Sequence, residues 1–275
     1  FVYPDPGNDG TRNPPANCSA GVQRQAVGAT AAQFNAAIGA VEPSGGTPTS
    51  STLSAVVPVV EDLVEDERPL AIVLATDGAP NCQINPVLPL DEDGDPVVSL
   101  IACTCTSNLQ EQSNESCASF NCLDEQVSTG TGPIARLARL GVQTHVVGIP
   151  DVSGTVDANT QRIFTESLNQ MAIAGGAPLS GTTKFHDGSN TTALQSSLQA
   201  ITRRILACQV TVDDDIAGFT SLEVRLGDSP LVRDTNRRNG WDQTGPRSIE
   251  LFGNACDAAT ASTERITVRR CARPD

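Results

Sequence analysis

The run Leu70–Pro80, LAIVLATDGAP, constrains this chain more than any other segment. Its side chains are apolar without alternation from Leu70 to Ala75, and the run stops at Asp77-Gly78. A strand that is apolar on both faces belongs inside a parallel sheet, because a strand with one wet face would alternate. Parallel strands need crossover connections, so helices are expected on either side of it in sequence. Residues 30–41 (TAAQFNAAIGAV) place apolar side chains at helical spacing, and a second helix is predicted from Thr49 or Ser50, either a candidate cap, to about Glu65, with Pro58 as a kink. Downstream the alternation resumes with GPIARLARLG (helix), VQTHVVGI (strand) and NTQRIFTESLNQMAIAGG (helix). A short strand at Lys184-Phe185-His186 and a helix from Thr191 to about Leu206 follow, while Gly21–Gly28 alternates enough for one further short strand. The expected fold is α/β, with a doubly wound, mostly parallel sheet.

Two segments depart from that pattern. Residues 82–132 are polar, cysteine-rich and without sustained periodicity, as expected of a cross-linked insertion. From Cys208 onward the chain changes to short alternating runs, QVTVD, SLEVRLG, SIELFG and ERITVRR, separated by Asp, Gly and Asn turns. The expected organisation is therefore an α/β domain over 1–207 and a small all-β domain over 208–275. A unit of that size is short of core, and bridges among Cys208, Cys256 and Cys271 would each add about 2–4 kcal/mol.

Nine cysteines, five of them between Cys82 and Cys122, favour an oxidising compartment, secreted or on a cell surface. Zinc is a poor alternative, because Cys103-Thr104-Cys105 lacks the usual two-residue gap and the only histidines are His145 and His186. With 18 basic against 32 acidic residues the net charge is −14, which repels nucleic acid and anionic lipid and leaves divalent cations as better partners. No apolar run reaches the roughly 20 residues that span a bilayer, so no direct membrane insertion is expected.

Gly45-Gly46-Thr47-Pro48-Thr49 precedes a predicted helix, and Asp77-Gly78 follows the buried strand. In an open α/β sheet ligands gather outside the carboxyl ends of the strands, and both segments belong on that edge. With LATDGAPN at 74–81 and GGTPT at 45–49, residues 1–207 resemble the von Willebrand factor type A (vWA) family. The resemblance implies a metal-ion-dependent adhesion site, in which Thr47 offers a hydroxyl and Asp77 a carboxylate to Mg²⁺, or to Ca²⁺ or Mn²⁺. The family's DxSxS loop is not found before Gly45, so the expectation is that the first strand, its loop and the first helix lie upstream of Phe1, on a fragment of the same protein. The region containing NGWDQTG and SIELFGNACDAA resembles β modules that follow such domains in secreted proteins of bacteria, especially myxobacteria.

Several features have plain readings. Asp151-Val152-Ser153-Gly154-Thr155 spells DxSxT, but the order of the other motifs makes it a polar turn. Asp91-Glu92-Asp93-Gly94-Asp95 lacks the glycine and glutamate spacing of an EF-hand and reads as a solvated acidic turn, as does Asp213-Asp214-Asp215. His145 and His186 stand on strands without a nucleophile motif, and Trp241 reads as a core anchor beside a turn. Asn17-Cys18-Ser19, Asn114-Glu115-Ser116 and Asn190-Thr191-Thr192 match the glycosylation sequon, a pattern that chance supplies readily. The sequence thus predicts no enzyme but an extracellular adhesion module whose partner is a protein ligand with an acidic group. The alternative is a structural subunit beside neighbouring subunits of an extracellular assembly, its metal site vestigial.

Overall fold

The computed structural model describes residues 1, 18, 20–41, 46–64, 69–82, 122–154, 156–217 and 222–270. The chain divides into two compact units, one of residues 1–60 with 72–194 and the other of residues 61–71 with 195–275. It is a mixed α/β protein with one parallel three-stranded sheet and two antiparallel ones.

In the first unit, helix α1 (Ala31–Gly39) starts where the sequence supplies a capping box. Thr30 Oγ1 accepts the Gln33 N–H at 3.3 Å, and the Thr30 N–H donates to Gln33 Oε1 at 2.9 Å. Helix α2 (Thr49–Val64) has Thr49 as its first helical residue, buries Leu53, Val56, Val57 and Val60, and keeps Pro58 on its exposed side. Strand β1 (Ala71–Thr76) leads to the segment before a 3-10 turn at Glu125–Ser128, then α3 (Pro133–Arg139), β2 (Gln143–Gly148), α4 (Ala158–Ala174) and β3 (His186–Asp187). Pro133 stands in the first turn of α3, where its missing N–H costs nothing. Asp157 caps α4 by accepting the N–H groups of Asn159 and Thr160.

The strand order is β1-β2-β3, with Val147 opposite His186 and Gly148 opposite Asp187. All six residues of β2 are buried, as a central parallel strand requires. β1 is different: Leu74 and Thr76 are buried, while Val73 on the other face is 44% exposed. The core between sheet and helices contains Val57, Ile134, Leu137, Val146, Leu168 and Met171.

Two expectations change here. Gly21–Gly28 does not form a strand; only Val22 makes a bridge, and residues 23–28 lie exposed, so nothing apolar anchors the segment to a sheet. The third strand begins at His186, two residues later than Lys184.

Helix α5 (Thr191–Cys208) runs into β4 (Gln209–Thr211). In the second unit β4 pairs with β8 (Ser248–Phe252) and β8 with β7 (Gly240–Gly245), all antiparallel. The other sheet has the order β6 (Ser229–Leu231), β5 (Leu222–Leu226), β9 (Ile266–Arg270). Val224, Leu226, Trp241, Ile249 and Leu251 form its core, with Trp241 Nε1 donating to Leu231 O at 3.0 Å. This region is not all-β. Between β8 and β9 the residues NACDAATA form helix α6 (Asn254–Ala261), which buries Ala255, Cys256 and Ala259 along one stripe. Gly253, at φ 54°, turns the chain into that helix, a backbone conformation open to glycine.

Cys208 is bonded to Cys256, and both sulfurs lie in the core of the second unit. In the first unit Cys18 is bonded to Cys82, and Cys122 is also disulfide-bonded. Cys271 and the 91–95 acidic run lie outside the described residues. No helix among the described residues is long and apolar enough to cross a membrane.

Candidate functional site

Thr47 and Asp77 come from segments thirty residues apart, and the structure brings them to one place. Asp77 follows β1 directly, at the carboxyl edge of the parallel sheet. Thr47 ends the loop that enters α2. A β-carbon placed on Gly78 would lie 3.2 Å from Thr47 Oγ1, so the Thr47 hydroxyl lies close to the residue that follows Asp77. Gly78 lets the two loops approach, since any side chain there would press on that hydroxyl.

The approach is held by Asn81. The Thr47 N–H donates to Asn81 Oδ1 at 2.5 Å, and the Asn81 N–H donates to Thr47 O at 3.0 Å. Thr47 O also accepts the Thr49 N–H at 2.8 Å, which joins the clamp to the first turn of α2. On the β1 side, Thr76 Oγ1 donates to Gly78 O at 2.9 Å and shapes the turn that carries Asp77. Asp77 is exposed, and no described residue holds its carboxylate.

Asp124 closes the back of the site. Its N–H donates to Pro80 O at 2.9 Å, while its carboxylate accepts from the Gln126 N–H and from the Ser50 hydroxyl in the first turn of α2. Burial pushes the Asp124 carboxyl above its ordinary range, and those two hydrogen bonds oppose the shift. At 4% exposure, with its oxygens already engaged, Asp124 serves the framework rather than the open edge.

Cys82 takes a left-handed backbone conformation, φ 67°, that residues with a β-carbon seldom adopt. Its bond to Cys18, with Cα atoms 5.3 Å apart, ties the turn after Asn81 to a segment upstream of α1. The bridge thus anchors the start of the 82–132 segment beside this edge and reaches back towards the start of the chain.

Among the described residues no group of three or more His, Cys, Asp or Glu side chains is placed to hold a metal ion. Thr47 and Asp77 offer two oxygens, fewer than the six that Mg²⁺ takes. They fit such a cation as part of a shell whose other oxygens come from water or from elsewhere.

The histidines are interior. His145 on β2 and His186 on β3 are buried with ring centroids 6.0 Å apart. The Asp151 turn is closed by its own side chain, Oδ1 accepting the Ser153 N–H at 2.7 Å. Asn190 caps α5, its Oδ1 accepting the Ala193 N–H at 3.0 Å. Asp214 pairs with Arg270 at 3.1 Å, and Asp215 accepts the Ala217 N–H, so the acidic triplet is a solvated strand end.

Thr47 and Asp77 were visible in the sequence as oxygen donors at a strand edge. Asn81 and Asp124 were not singled out, because they act through main-chain partners, and Asp124 lies within the 82–132 segment, where no periodicity points to it. Comparison of the chain with protein-family models, with curated proteins and with solved structures finds no match.

Proposed function

We propose that this chain is an extracellular binding module of the vWA kind, which recognises a protein ligand through a divalent cation held in part by Thr47 and Asp77. The observation that carries this reading is the nearness of the Thr47 hydroxyl to Gly78, 3.2 Å from where a β-carbon would stand, beside an unengaged Asp77 carboxylate at the carboxyl edge of a parallel sheet. A hydroxyl and a carboxylate suit Mg²⁺, Mn²⁺ or Ca²⁺, all hard cations that take oxygen. When bound, the cation would accept a carboxylate from the partner, and Asn81 and Gly78 would keep the two protein oxygens in register for it.

The remaining oxygens would come from water and from an upstream fragment bearing the family's DxSxS loop. The edge of β1 favours this. Among the described residues β1 has β2 as its only strand neighbour, and Val73 stands exposed where a further layer would cover it. The disulfides are consistent with an extracellular setting.

The test is thermal unfolding of the full chain with increasing MgCl₂ or MnCl₂, in wild type, Asp77→Ala and Thr47→Val. A cation at ten times its Kd stabilises by about 1.4 kcal/mol, which for a unit of this size raises Tm by roughly 3–6 °C. The shift is expected in wild type and lost in both variants, each folded by circular dichroism. A wild-type Tm indifferent to both cations, or an equal rise in Asp77→Ala, would overturn the reading and favour a scaffold subunit.

A further inference from the structure

The second unit carries a surface unrelated to the Thr47–Asp77 edge. β9 is the last strand of the sheet β6-β5-β9, and among the described residues no strand pairs with its outer side. The opposite edge, β6, is three residues long and contains Pro230, which has no N–H to offer. β9 is five residues long, without Pro or Gly, and begins Ile-Thr-Val. One edge is thus blunted by its chemistry and the other keeps a full set of donors and acceptors.

The register shows which groups face outward. Gly227 N–H donates to Arg265 O at 3.0 Å, and Arg225 lies opposite Thr267, Glu223 opposite Arg269. In an antiparallel ladder these alternate positions bond to the neighbouring strand, so Ile266 and Val268 turn their N–H and C=O groups away from β5. The side chains of Arg265, Thr267 and Arg269 share one face by the same alternation. They line an open cavity of about 630 Å³ with Arg225, Asp228 and Glu264.

Arg225 is occupied by Glu223, at 2.7 Å, and by the Asp228 carbonyl. Arg265 and Arg269 are exposed, and no described residue pairs with either guanidinium. In a chain of net charge −14, two uncommitted arginines flank Thr267 along an open strand edge.

We propose that β9 is a docking edge for an extended acidic segment of a partner protein, which adds as a strand and sets alternate Asp or Glu side chains over Arg265 and Arg269. Main-chain groups of Ile266 and Val268 supply the pairing and the guanidinium forks select the charge. Two-fold β9–β9 pairing centred on Thr267 would set Arg265 against Arg269 of the mate, and like charges directly opposite are destabilising, so that register disfavours a second copy of this chain as the occupant. The arginines therefore repel self-association and admit an acidic strand through the same two side chains. The carboxylates of Asp228 and Glu264, at the turn end of the cavity, oppose a further acid there, so the partner's acidic run ends short of Gly227.

The experiment uses the full chain and a fluorescein-labelled peptide, Thr-Glu-Val-Glu-Val-Glu-Thr, followed by fluorescence anisotropy. Binding is expected to weaken with salt and to fall by about tenfold or more in the Arg265→Glu/Arg269→Glu double variant. Both residues are exposed, so unchanged circular dichroism and Tm should accompany the loss. Two further peptides are N-methylated at alternate residues, one at the odd and one at the even positions. Strand addition predicts that one of them loses binding and the other keeps it. Equal binding of both methylated peptides, or tighter binding of a heparin octasaccharide than of the peptide, would reduce the edge to an anion-attracting surface and overturn the proposal. Unchanged peptide binding in the double variant would overturn it as well.

Discussion

Thr47 and Asn81 hold each other by two hydrogen bonds in opposite senses, the Thr47 N–H to Asn81 Oδ1 and the Asn81 N–H to Thr47 O. A single residue after the TDG turn thereby sets the distance between the loop before α2 and the end of β1. Asn81→Ala removes the acceptor and leaves the Thr47 N–H without its partner in a part-buried position, at a cost of about 1–3 kcal/mol. Chemical denaturation should show that loss, and the cation-dependent rise in Tm should shrink with it. Asn81→Asp keeps the acceptor and should retain the greater part of the stability.

Gly78 makes a sharper case, because its substitution acts on the site with little effect on the core. Gly78→Ala puts a methyl group 3.2 Å from the Thr47 hydroxyl, so the loops must move apart by a few tenths of an ångström. The cation response should weaken while the Tm measured without cation stays close to that of wild type. An unaltered response would mean that the hydroxyl plays no part in holding the cation.

The pH dependence of Asp124 has a definite sign. Burial raises its pKa on folding, so the native state holds the proton more tightly than the unfolded chain does. The resulting stability is full below the unfolded value and is lost as pH rises through the folded one. Asp124→Asn does not titrate, so the variant's Tm minus that of wild type should increase as pH rises from about 4 and level off above the folded pKa. A difference that stays flat or falls with pH would show that the carboxylate ionises in place without penalty.

In the second unit the Cys208–Cys256 bond joins the end of α5 to α6. Its replacement by two serines should cost about 2–4 kcal/mol, read as a lower denaturant midpoint for this unit. Both sulfurs are buried, so Ala at either position would test whether the introduced hydroxyls add to the loss.

Gly175→Ala is expected to be severe, because its β-carbon would collide with the Thr144 carbonyl, main chain that cannot step aside. Far-ultraviolet circular dichroism on melting should show a drop well beyond that of Gly154→Ala. At Gly154 nothing lies in the way of the methyl group, although its positive φ carries a cost of its own.

The first unit was largely readable because its periodicities agree with its packing. LAIVLAT and VQTHVVG were readable as strands of a parallel sheet, although only β2 is buried on both faces and β1 leaves Val73 and Ala75 exposed, and the helices around them carry stripes and caps that name their own ends. β7 was hidden for the opposite reason. Gly240, Asp242, Gln243 and Gly245 disfavour a strand, yet the segment pairs with β8 from Gly240 to Gln243 and, past an irregularity, again at Gly245. Asp242 tolerates its burial because Arg233, at 3.1 Å, and Arg237, at 3.2 Å, converge on its two oxygens, a partnership formed across a turn that no local pattern announces. α6 was missed because eight small residues between two strand-like runs show too little periodicity to register as a helix. The candidate site was half legible: the oxygens that face solvent could be named from the sequence, whereas the clamp behind them depends on which turns meet after folding.

The bond between Cys208 and Cys256 also decides how the second unit would answer to force. A chain pulled at Arg270 away from β5 would be peeled from its end, its pairs with β5 separating in succession from Arg270 towards Ile266. Within α6 the covalent link stops the unravelling, so tension passes from Cys256 straight to α5 and the loop from 209 to 255 bears no load. β9 would be the piece that yields under strain, with a sealed body behind it.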